Sequence, residues 1–90
     1  MLDPLTAVEI QAVRLKLQLF ARRQTDATVR SQCHAVDKRL AEILEGDDPI
    51  LRQILANSVE QLEEALQRSR IETATLHFLT RLRRWGHSAR

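Results

Sequence analysis

The chain holds one cysteine, two glycines, two prolines, three aromatic residues and no tyrosine among its 90 residues. Each scarcity excludes something. A lone Cys33 admits no intrachain disulfide, which fits a reducing compartment. So few glycines and prolines leave little turn-forming material for a β-rich fold. No uncharged apolar run approaches the ~20 residues needed to cross a bilayer. The start, Met1-Leu2-Asp3-Pro4, lacks the basic residues and apolar run of a signal peptide. Together these absences predict a cytoplasmic protein with no membrane segment.

What is present fits one small helical domain over residues 1–90. Hydrophobic residues make up 43% and charged residues 29%, a balance that folds rather than stays disordered. A chain this short buries only ~60% of its unfolded surface, so association into an oligomer is expected to support it. Net charge is +2 but segregated. Residues 42–64 carry seven acids and one base (−6), residues 65–90 six arginines and one glutamate (+5), and residues 1–41 seven bases and four acids (+3). Such a layout suits helix dipoles and pairing between neighbouring helices; the alternative is a dedicated basic patch.

The stretch from Asp48 to Trp85 contains no glycine and reads as one long helix or two end to end. Asp48 can cap and Pro49 suits the first helical position. Leu55, Val59, Leu62 and Leu66 then share one face, with Leu51 and Ile54 widening it at the start. Beyond Leu66 a new stripe begins, Ile71, Thr75, Phe78, Leu82 and Trp85. Ser69 to Glu72 also reads as a capping box that would start a fresh helix. Glu64 and Arg68 stand in the order that favours helix running through.

The first half reads as helix from Asp3-Pro4, or from Thr6 with Glu9 reaching back and Leu5 stapled on Ile10. It is apolar on two sides: Val8, Ala12, Leu15 and Leu19 form one stripe, and Ile10, Val13, Leu17 and Phe20 another. Val13 to Leu19 also alternates like a strand, but its residues favour helix. The first stripe continues in register through Arg22, Asp26, Val29, Cys33, Val36, Leu40 and Ile43, as in coiled-coil packing. The polar run Arg22 to Asp26 is either solvated helix, the preferred reading, or a short connection capped by Thr25 or Asp26. Glu45 to Pro49 is a clear turn, with Gly46 as a left-handed cap. Reversal there sets residue 24 level with residue 70, where both helices are irregular.

The predicted fold is therefore all-α: an antiparallel hairpin of long helices, about 5–45 and 49–85, turning at Gly46–Asp48, with 86–90 a flexible basic tail. Two copies would pair into a four-helix arrangement. The alternative is a monomeric bundle of four short helices broken near residues 24 and 69.

No catalytic, cofactor or metal constellation stands out. Cys33 and His34 point ~100° apart on a helix and no second cysteine or histidine lies at helical spacing from them; Cys33 sits on the apolar stripe, as a buried thiol does. His77 and His87 are isolated. The excess apolar face predicts a non-enzymatic adaptor, assembly factor or regulator working through helix–helix contacts with another protein or a second copy. Leu15, Leu17, Leu19 and Phe20, with Phe78, Leu82 and Trp85 at the same end, are its candidate contacts. The alternative is nucleic-acid binding, with Arg81, Arg83, Arg84 and Arg90 on phosphates around Trp85. Arg14, Arg30, Lys38 and Arg52 also loosely resemble the set that small all-helical chorismate mutases turn into an enclosed cavity. That resemblance would imply a small enzyme. The family's apolar-acidic pattern in the first helix and its glutamine near the C-terminus are missing here, so no catalytic residue is carried over.

Overall fold

A computed structural model describes residues 2–70 and 77–88. Among these the chain forms four helices and no strand: α1 (Pro4–Arg23), α2 (Ala27–Glu45), α3 (Pro49–Arg68) and α4 (His77–His87). Contacts between Arg14 and Asp37, Ser69 and Asp26, and Arg83 and Glu63 make each successive pair antiparallel. α2 packs on α3 and α3 on α4, whereas α1 packs on α2 and meets α4 only across a groove. No helix among the described residues is long and apolar enough to cross a membrane. The all-α bundle is thus the four-helix form, and the helical run predicted over 5–45 is two helices.

The break at residues 24–26 corrects the expected continuity, and Asp26 is its cause. Its Oδ1 accepts from the backbone N–H of Thr28 at 2.8 Å and of Val29 at 3.1 Å, which starts α2 afresh. Its Oδ2 accepts from the Ser69 hydroxyl at 2.7 Å. One carboxylate therefore ties the end of α3 to the start of α2, and the two irregularities do stand at one height. Ser69 is the C-cap of α3 rather than the start of a helix, and the Glu72 half of the capping box lies outside the described residues. Arg70 follows at φ 55°, its N–H on the Gln67 carbonyl at 3.1 Å, closing α3 with a left-handed residue.

The other boundaries follow local chemistry. α1 starts at Asp3-Pro4 rather than at Thr6, and Leu5 is exposed rather than stapled on Ile10. The turn at Gly46–Asp48 is where the sequence places it. Gly46, however, lies at φ −165°, extended backbone and not the left-handed cap expected of it. Asp48 and Asp47 make the reversal instead. Asp48 accepts from Ile50 N–H at 2.7 Å, and Asp47 takes both Nε and Nη2 of Arg52 at 2.8 and 2.6 Å.

The core is built from the predicted stripes of α2 and α3. Val29, Cys33, Val36, Leu40 and Ile43 face Leu55, Val59, Leu62 and Leu66, none more than 1% exposed. Each such side chain contributes roughly 1.5–3 kcal/mol on burial. α1 adds Ile10, Leu17 and Ala21, and α4 adds Leu79 and Leu82. Residues 86 and 87 belong to α4 and not to a flexible tail. Gly86 is buried where α4 touches α3, and an added Cβ would meet the Arg52 carbonyl oxygen at 2.8 Å and the Ala56 Cβ at 3.0 Å. Residues 89 and 90 lie outside the described residues.

Candidate functional site

α1 carries two apolar stripes and the bundle uses one. Ile10 and Leu17 are 4% and 1% exposed, with Val13 and Phe20 packed partly against the same core. The opposite stripe is turned to solvent: Leu5 is 72% exposed, Val8 67%, Leu15 60% and Leu19 49%, with Ala12 exposed among them. The long register from Val8 to Ile43 is thus split at the Asp26 cap. A connection that leaves the helix does not carry helical phase across it, so the α1 part faces out and the α2 part faces in. Leu5 to Leu19 runs at steps of three, four, three and four, a seam ~21 Å long at 1.5 Å per residue and ~80° wide. Smaller exposed apolar area lies at the start of α3, where Ile50 is 70% and Ile54 36% exposed; Ile54 was expected to widen the buried face.

The sequence-predicted contact residues therefore divide. Leu15 and Leu19 stand on the outward seam. Leu17 and Leu82 are enclosed by the chain's own helices, and Phe20, Phe78 and Trp85 pack half-buried against them. Leu5, Val8 and Ala12 join the seam; by spacing the stripe starts at Val8 and runs in one register into α2, whereas its α1 and α2 parts face opposite ways. The signal that locates them is the Asp26 cap. Where α2 restarts, the phase of α1 has to be judged by itself.

Two clefts border α1. One, of about 380 Å³, lies between α1 and α4, lined by Ile10, Val13, Leu82 and Trp85 with Glu9, Lys16 and Arg81 at its edge. The Lys16 ammonium sits 5.7 Å from the centre of the Phe78 ring across it. The other, of about 410 Å³, lies between α1 and α2 over Leu17, Ala21 and Cys33, with Arg22, Arg30, His34 and Asp37 around it. Burial pushes the Cys33 thiol up to about 11, so almost none of it is thiolate near neutral pH.

At the arginine-rich end, charge segregation becomes pairing between α3 and α4. Arg83 Nε stands 3.1 Å from Glu63 Oε1 as an ion pair without hydrogen-bond alignment, and His87 Nε2 lies 2.9 Å from Glu60. Arg84 is exposed, Arg81 borders the α1–α4 cleft, and Arg90 lies outside the described residues. Trp85 stacks under the Arg52 guanidinium, 4.2 Å from ring centre to Cζ. That same guanidinium holds the Asp47 carboxyl below its ordinary range. The Ser69 hydroxyl does the same to Asp26, helped by the Val29 and Thr28 N–H groups against some desolvation.

Of the four residues that resemble the chorismate mutase set, Arg14 is paired with Asp37 at 2.8 Å and Arg52 with Asp47. Arg30 borders the α1–α2 cleft and Lys38 is exposed. Neither cleft is lined by more than one of the four. Comparison with protein-family models, curated proteins and solved structures finds no match to this chain, which leaves its side-chain geometry as what bears on function.

Proposed function

We propose that the chain is a small non-enzymatic helical adaptor or assembly module that docks a helix of another polypeptide on the outward seam of α1. The observation that carries this reading is the exposure of Leu5, Val8, Ala12, Leu15 and Leu19 in one stripe, the longest run of exposed apolar residues among those described. Scattered exposed leucines are ordinary, but a contiguous stripe at the spacing of a helix–helix seam is the pattern of a docking face. Phosphate binding by the arginine end is supported less, since Arg83 is paired with Glu63 and Arg52 already covers Trp85.

The test is chemical cross-linking in cells expressing the tagged chain. Wild type should give higher-mass species, and in lysates adjusted to ~50 or ~200 mM salt before the cross-linker is added their yield should be the same. Leu15→Glu/Leu19→Glu should lose them with its helical circular dichroism unchanged, and Arg81→Glu/Arg84→Glu should keep them. Species indifferent to the leucine changes would overturn the reading; loss with the arginine changes alone would transfer it to nucleic acid.

A further inference from the structure

We infer that the occupant of the α1 seam is α1 of a second copy, antiparallel about a twofold axis near Ala12. This rests on the docking reading and names its partner. Three observations converge on it: the order of side-chain sizes along the seam, the polarity of charge along α1, and the area the chain leaves exposed.

The seam is self-complementary. Its order is Leu5, Val8, Ala12, Leu15, Leu19, with the smallest residue at the centre and leucines at both ends. A twofold axis at Ala12 sets the two small side chains at the closest approach of the helices and lays each Leu5 end on the other copy's Leu19 end. An isologous contact needs one patch to fit itself in this way.

Charge selects the direction. The N-terminal half of α1 and its cap carry Asp3 and Glu9, and the C-terminal half carries Lys16, Arg22 and Arg23, with Arg14 already paired to Asp37. Antiparallel pairing lays the acidic half of each copy over the basic half of the other, and sets Glu9 alongside Lys16 twice over. The helix dipoles also oppose head to tail. Parallel pairing would instead stack three bases on three, and would leave Glu9 beside Pro4 and Lys16 beside Gln11. Like charges across a seam disfavour that arrangement.

The area is sufficient. The chain exposes 6107 Å², against ~5,400 Å² expected of a compact monomer of its mass. Covering an excess of that size on both copies buries roughly 1,400 Å², towards the small end of specific interfaces. An interface of that size is below the ~2,000 Å² and more of obligate dimers, so the pairing is expected to be reversible.

The experiment uses the purified full chain in sedimentation equilibrium between ~1 and 500 μM. Wild type should pass from 10.4 kDa to twice that mass with concentration, and Leu15→Glu should remain monomeric. Glu9→Lys and Lys16→Glu should each raise the dissociation constant roughly threefold to tenfold, and the double exchange should restore it. Orientation is read by oxidation: Ala12→Cys should cross-link and Leu5→Cys should not, while the native Cys33, 1% exposed, stays silent. A wild type monomeric throughout, a dimer indifferent to Leu15→Glu, or cross-linking through Leu5→Cys would each overturn the inference. A monomer whose cellular cross-links still vanish with Leu15→Glu/Leu19→Glu would sink only the second copy and keep the docking reading. If those cross-links were also indifferent, both would fall.

Discussion

Gly86→Ala reverses the usual sign of a helical glycine substitution. Replacing glycine by alanine inside a helix ordinarily gains ~0.5–1 kcal/mol. Here the new Cβ would stand 2.8 Å from the Arg52 carbonyl oxygen and 3.0 Å from the Ala56 Cβ, where non-bonded carbons prefer ~3.5–4.0 Å. Both obstacles lie on the α3 backbone or its first side-chain atom, so neither can swing away and α4 must retreat. Overpacking of this kind costs ~1–3 kcal/mol. Set against the propensity gain, the net is a loss of ~1 kcal/mol, a fall of ~4–8 °C in the melting midpoint for a chain of this length. The retreat also draws Trp85 away from Arg52, now 4.2 Å from its ring centre. As the one tryptophan in the chain, Trp85 reports this directly. The assay is thermal melting by circular dichroism with tryptophan emission, and Gly46→Ala as control. Gly46 has no atom within 4 Å of an added Cβ and its extended φ of −165° suits any residue, so that change should leave the midpoint level or raise it. A Gly86→Ala protein with a raised midpoint and unchanged emission would refute the close crossing of α3 and α4.

Arg70 holds a left-handed φ of 55°, which costs a side-chain-bearing residue ~1 kcal/mol or more; Arg70→Gly should raise the melting midpoint by ~4–8 °C, and a lowered midpoint would remove Arg70 from the cap of α3. Asp26 and Asp47 titrate below the ordinary value of 3.8 in the folded chain. A lowered folded pKa contributes stability that is complete above the unfolded value and is lost as pH falls through the folded one. Melting midpoints should therefore be level above ~pH 5 and drop below ~pH 4. Asp26→Asn, which keeps a capping oxygen, should flatten part of that drop, and an equal drop in Asp26→Asn and Asp47→Asn would refute the assignment.

The helical class, the turn at Gly46–Asp48 and the buried faces of α2 and α3 were legible in the chain because each is a local matter. Asp48-Pro49 starts a helix wherever it occurs, and Val29 to Ile43 or Leu55 to Leu66 declare one face by spacing alone. The level placing of residues 24 and 70 was also legible, from the reversal at 47. The choice at that level was not. Arg22 to Asp26 holds no glycine or proline, and what breaks the helix there is the Asp26 carboxylate, whose second oxygen meets Ser69, 43 residues away.

That one contact separates what the sequence by itself determined from what only the tertiary structure decided. Sequence alone settled that α1 has two apolar sides, since the 100° step of a helix follows from the backbone. Which side faces the core depended on where α2 lies, and so on the break that sends α2 back along α1. With α2 returning over Ile10 and Leu17, the stripe of Leu5, Val8, Ala12, Leu15 and Leu19 was left to solvent. The candidate docking face is therefore a product of packing: Leu15, Leu17, Leu19 and Phe20 are alike as contacts in the sequence, and only the completed core parts the outward Leu15 and Leu19 from the inward Leu17.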